Sequence, residues 1–197
     1  MPLLALEPAL FPPDLFSLDG ATVESSARWW VLHTRPRAEK ALAQKLLGRQ
    51  VRFFLPLYER RWRKNGRVFR SHLPVFAGYL FLHGDREQRL AAFETNLVAR
   101  VLEVADQDRM WQDLERVNRL ILSKAPLTPE SRLPAGTLVE VTSGALEGLT
   151  GRVVSHGKQW KLVIEVQFLR RGVSLEIESS KIRPVREYPP AGRGARA

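Results

Sequence analysis

The sequence contains no cysteine. Disulfides and thiolate metal sites are therefore excluded, and the composition suits a reducing compartment. No apolar run approaches the ~18 residues of a membrane-spanning helix. Residues 1–6 are apolar, but they lack a basic start and are interrupted by Glu7 and Pro8, so they do not read as an export signal. The expected location is the cytoplasm. Histidine is scarce: His33, His72, His83 and His156 stand in no metal-ligand spacing. No nucleophile motif accompanies them, and the acids are scattered rather than paired. No enzyme, metal site or cofactor is expected. One absence is local. Between residues 60 and 70 there is no acid, while Arg60, Arg61, Arg63, Lys64, Arg67 and Arg70 crowd together.

The 197 residues suffice for one large domain or two small ones, and 44% hydrophobic content is that of a folded chain. A net charge of +10 and a pI near 10.6 point to a polyanionic partner, nucleic acid above all. The excess is central. Residues 28–123 hold 19 bases against 10 acids, residues 134–185 hold 7 against 5, and no Lys or Arg precedes Arg28.

Residues 73–82, Leu73-Pro74-Val75-Phe76-Ala77-Gly78-Tyr79-Leu80-Phe81-Leu82, organise the rest. The run has no polar alternation, so it reads as a strand covered on both faces or one whose second face meets a partner. Pro74 belongs at a strand start or edge, and Gly78 at a bend. Phe76, Tyr79 and Phe81 have two readings, as core or as an exposed apolar dock.

Residues 1–27, rich in Pro, read as a disordered extension that could dock through Leu15, Phe16 and Leu18. Residues 29–34 form a strand, followed by a helix over 38–48 with Ala38, Leu42 and Leu46 on one face. Residues 51–62 form a second strand. Asn65-Gly66 is the strongest short hairpin signal, because both residues tolerate positive φ. The resulting hairpin interleaves Trp62 and Phe69 with six bases. It is either a solvated edge kept soluble by charge or a phosphate-contacting arm. A helix over 86–96 presents Leu90, Phe93 and Leu97. A strand over 98–104 follows. Asp106 caps a helix to about residue 124 with Met110, Leu114, Val117 and Ile121 on one face. The order gives an α+β fold, an antiparallel sheet flanked by helices. Residues 124–133 form a proline-stiffened linker. Five short strands within 134–186 predict a small all-β barrel, and residues 187–197 a disordered tail.

Two segments now carry a resemblance. Residues 136–154, with Gly136, Gly144, Gly148 and Gly151 among Leu138, Val139, Val141, Val153 and Val154, resemble the KOW motif of SH3-like barrels. Residues 29–34, their helix and residues 74–81 resemble the NusG N-terminal (NGN) domain. NGN, linker and KOW in this order resemble the NusG/RfaH family of transcription elongation and antitermination factors over about residues 28–185. Ala77, Asn96-Leu97-Val98 and the two end segments depart from the family pattern and favour a specialised paralogue of the RfaH or UpxY kind.

The resemblance implies a monomer that binds the RNA polymerase clamp through Phe76, Tyr79, Phe81, His33 and Val104. Arg86 and Arg89 would face the opposite pincer. DNA, non-template or upstream, would be met by Arg35, Arg37, Lys45 and Arg49 and by Arg60, Arg61, Arg63, Lys64, Arg67 and Arg70. A ribosomal protein or termination factor would meet the KOW domain at Leu146, Leu149, Ile164 and Phe168. The helical refolding known in RfaH is disfavoured here by glycines and β-branched residues, so a constitutive barrel is expected. The rival reading is a KOW-containing structural RNA-binding protein of the ribosome, which leaves the apolar run at 73–82 without a role.

Overall fold

Trp29 to Leu32 alternate between two apolar faces, which makes their strand the middle of a sheet. In a computed structural model describing residues 8–17, 26–131, 136–156 and 159–185, that strand, β2 (Arg28–Thr34), lies between β6 (Tyr79–Gly84) and β7 (Val98–Glu103). β1 (Leu10–Phe11) and β3 (Arg52–Phe54) complete the sheet in the order β1-β3-β6-β2-β7, with every pairing antiparallel. Trp30, Leu32, Phe53, Leu80 and Leu82 share one apolar core with Leu42 and Leu46 of α1 (Glu39–Gly48) and Ala92 of α2 (Arg86–Phe93). Trp29, Val31, Phe54 and Phe81 turn the other way, toward α3 (Gln107–Leu122). Both faces are buried, which explains why these strands lack polar alternation. Asp106 caps α3 by accepting the Arg109 N–H at 2.9 Å, and Met110, Leu114 and Val117 are buried as their spacing required.

Several boundaries differ from expectation. Residues 73–82 are not one strand. β5 (Arg67–Pro74) ends, a turn follows, and β6 begins at Tyr79. Gly78 has φ +85°, and the Tyr79 N–H donates to the Phe76 carbonyl at 3.0 Å, closing the turn. The 51–62 strand likewise divides at Pro56 into β3 and β4 (Leu57–Lys64), since proline cannot donate to a ladder. Within the expected disordered extension, residues 8–17 are built in. Leu10 pairs with Phe54, Leu15 is fully buried, and Phe16 packs on Trp29, Phe54 and Trp111. Residues 1–7 and 18–25 of the extension and the 187–197 tail lie outside the described residues. The linker also contributes structure: β8 (Thr128–Glu130) pairs with β12 (Arg171–Ile177).

The C-terminal part is a six-stranded antiparallel sheet. It adds β9 (Thr137–Val141), β10 (Thr150–His156), β11 (Gln159–Val166) and β13 (Ile182–Pro184) in the order β13-β9-β10-β11-β12-β8. Its apolar residues, Val139, Val153, Leu162, Ile164 and Val173 among them, join the α3 side of the first sheet in one continuous cluster. Among the described residues no helix is long and apolar enough to cross a membrane.

Candidate docking face and nucleic-acid interface

The expected apolar dock is mostly interior. Phe76, Phe81 and Val104 are buried to within 2% of full enclosure, so as placed they offer no surface. Phe81 has Phe54 at 6.4 Å and Phe76 edge-on at 5.8 Å. The reason is α3 and the C-terminal sheet, which together cover this side of the first sheet. Tyr79 is half-buried and His33 exposed. Their rings sit 5.1 Å apart, across a register pair of β2 and β6. Only this two-ring step of the expected patch reaches solvent.

Polar contacts fasten the C-terminal sheet there. The Arg171 guanidinium lies 5.1 Å over the Tyr79 ring and donates to the Ala77 carbonyl at 3.4 Å. Arg119 of α3 donates to the Glu147 carbonyl at 2.7 Å. Asp113 is the centre of the seam. One oxygen accepts from Arg116 at 2.7 Å and lies 3.2 Å from Arg109 Nε, and the other accepts the Gln167 N–H at 2.9 Å. Burial pushes its carboxyl above the usual range, against the pull of the Gln167 N–H, Arg116 and Arg109. The sequence reading missed this seam. Its one signal was an acid at Asp113, directly beside Leu114 on the apolar stripe of α3.

Arg86 is exposed, but Arg89 is half-buried, with its guanidinium 5.0 Å from the centroid of the Trp30 ring. Leu90 and Phe93, expected to bury the face of α2, are 53% and 50% exposed. Ala92 is the buried residue of that helix. His83 is buried between Trp29 and Trp111, at 4.8 and 5.5 Å, with Nδ1 lacking a partner. Burial, reinforced by Arg52, pushes its pKa down to about 4.

The expected nucleic-acid residues fare differently. Arg35, Arg37, Lys45 and Arg49 are all exposed around α1, although Arg49 also donates to the Ala91 carbonyl and so ties α1 to α2. β4 and β5 form a separate two-stranded ribbon, turned by Asn65 (φ 50°) and Gly66 (φ 74°) as the sequence predicted. Every residue from 59 to 70 is exposed. Among the described residues, Arg61 alone of the six bases is paired with an acid, Glu59. In the C-terminal sheet, Leu146, Leu149 and Ile164 are core residues rather than surface. Phe168 is 40% exposed. The resemblance proposed the three from a strand and a loop of the expected barrel, and their aliphatic side chains fill the interior instead. Among the described residues no group of His, Asp and Glu is arranged to hold a metal.

A family model described as "Transcription termination factor nusG" matches residues 27–129. No curated protein matches the chain. Among 17 matching chains of solved structures is one from the crystal structure of the MjSpt4:Spt5 complex, conformation B. It is 14% identical, with 82% of this chain and 99% of that chain covered and a TM-score of 0.26.

Proposed function

We propose that this chain, which belongs to the NusG family, is a transcription elongation or antitermination factor that holds the RNA polymerase clamp and touches DNA. The observation that carries this reading is the family match over 27–129, which spans the first sheet except β1, the three α-helices and the basic ribbon. The role is non-enzymatic and is exercised in the cytoplasm. Binding that is stronger to a closed clamp than to an open one shifts the polymerase toward elongation. The shift is limited to the difference between the two affinities.

His33 and Tyr79 are the first contact with the clamp, and Phe76, Phe81 and Val104 support them from beneath. Arg86 and Arg89 face the opposite pincer. Arg35, Arg37, Lys45 and Arg49 contact DNA, as does the ribbon. The C-terminal sheet serves as a KOW domain, with Phe168 its accessible partner-binding residue. That sheet and a clamp cannot occupy the Tyr79 side together, so full docking requires the Asp113 seam to open.

The test is a pause-resolved transcription assay with purified polymerase. Tyr79→Ala is expected to lose most of the effect on pausing, and a ribbon with its six bases neutralised to lose part of it. If both variants act like wild type, the assignment of these surfaces is wrong. If the protein co-purifies with ribosomal subunits and not with polymerase, the family role is wrong for this chain.

A further inference from the structure

The ribbon has two unlike faces, and the register separates them. Alternate residues of a strand point to opposite sides. Trp62 pairs with Phe69, Arg60 with Ser71, and Lys64 with Arg67, so these share one face. Arg61 pairs with Arg70, Arg63 with Val68, and Glu59 with His72 on the other. The two faces carry three Arg or Lys side chains each, with Glu59 and His72 added on the second, but only the first carries the exposed Trp62–Phe69 pair. Trp62 and Phe69 are stacked at 5.7 Å and 17°, and remain 42% and 41% exposed with cations on either side. The second face is turned partly inward. Its Leu57, Glu59, Arg61 and His72, with Tyr58 from the ribbon's base, border a groove whose far wall includes Ile121 and Leu127.

We infer that the Trp62–Phe69 face is a binding site for single-stranded DNA, in which an unpaired base stacks on the exposed side of the aromatic pair while Arg60, Lys64 and Arg67 hold the flanking phosphates. The inference rests on the proposed role in transcription, where polymerase supplies opened DNA. Cations alone would bind any nucleic acid. An exposed ring among them adds something only where a base is free to leave its stack, because every base offers a π-face and a duplex hides it. The hydroxyls on this face are those of Tyr58 and Ser71, both between the ring pair and the ribbon's base, and none stands beside Lys64 or Arg67 to meet an RNA 2′-OH.

The experiment uses the full chain and a short fluorescein-labelled oligothymidine, its duplex with oligodeoxyadenosine, and the corresponding oligouridine, read by fluorescence anisotropy over a salt series. Trp62→Leu with Phe69→Leu is expected to weaken single-strand binding about tenfold while leaving duplex binding within about twofold, since phosphate contacts are untouched. Exchanging the two rings, Trp62→Phe with Phe69→Trp, preserves the pair and is expected to retain binding. This guards against a loss caused by a disordered ribbon. Neutralising Arg60, Lys64 and Arg67 to Gln is expected to weaken single-strand binding more than neutralising Arg61, Arg63 and Arg70, although both change the charge by the same amount. It also lowers the salt slope by about 2.

The inference is overturned if the leucine pair binds the single strand normally, if both charge variants lose equally, or if oligouridine binds more tightly than oligothymidine. In those cases the ribbon remains a basic arm and the proposed function stands. If the wild type binds none of the three probes, the nucleic-acid half of the proposed function fails as well.

Discussion

Residues 73–82 and 60–70 are neighbours in sequence and opposites in fate. The first segment is almost wholly apolar, and it supplies Phe76 and Phe81 to the interior. The second is the most basic part of the chain, and it keeps two large aromatic rings outside. The difference shows when an aromatic marks a surface. A ring surrounded by other apolar residues lowers its free energy by joining them, and the chain folds to permit it. A ring fixed between arginines on a two-stranded ribbon has no core within reach, because burying it would bury its neighbours' charges too.

That comparison predicts very different costs for the same kind of truncation. Phe81→Ala removes a fully buried ring that touches Phe54 and Phe76, and is expected to cost about 3–5 kcal/mol in urea unfolding. A loss under about 1 kcal/mol would mean that this side of the sheet is open in solution, and would restore the exposed dock that the sequence suggested.

The same interior sets a pH dependence. His83 has a folded pKa of about 4 against an ordinary 6.5. Above 6.5 it is neutral in both states. Between 6.5 and 4 the unfolded chain takes a proton that the folded chain refuses, so stability falls as pH drops through this window. The loss is on the order of 3 kcal/mol when complete. His83→Phe removes the titration, and the stability of that variant is expected to be flatter between pH 7 and pH 4. An unchanged profile would mean that His83 reaches solvent and that the Trp29–Trp111 cluster is looser than described.

The Asp113 seam tests why the apolar side is closed at all. Asp113→Ala leaves the Gln167 N–H without its acceptor and Arg116 and Arg109 without their carboxylate, a loss of about 1–3 kcal/mol. The C-terminal sheet is then expected to separate more often. Small-angle scattering would report a larger radius, and binding to polymerase would strengthen. An enlarged molecule with unchanged polymerase affinity would show that the covered side is not where the clamp binds.

How legible was this in the sequence? The Asn65-Gly66 turn, the Asp106 cap and the apolar stripe of α3 followed from local chemistry, and each is present. The two-sided burial of the strands was also legible, since Trp29 to Leu32 leave no polar face. What failed was long-range. Phe76 and Leu80 look alike in a list of apolar residues, and only packing reveals that the side holding Phe76 is capped by α3 and a distant sheet. Residues 8–17 failed for a related reason. Their prolines argued against regular structure, but a two-residue strand and one buried leucine need no regularity, only an open edge beside Phe54. In the C-terminal sheet, the motif located the strands but not which of their aliphatics faced outward.

The smallest expected stability effect bears most directly on the comparison. Trp62→Ala removes a larger ring than Phe81→Ala, yet it should cost less than about 1 kcal/mol, the worth of one cross-strand aromatic pair on an exposed ribbon. The ribbon is its own two-stranded sheet, so its disorder need not spread to the five-stranded one. Urea midpoints for the two variants measured side by side decide the matter. If Trp62→Ala costs as much as Phe81→Ala, the ring is part of the fold's support, and its exposure has no claim to function. If it costs almost nothing, the chain carries an unburied tryptophan amid six bases for which stability gives no account, and selection for a ligand is the remaining physical reason to place it there.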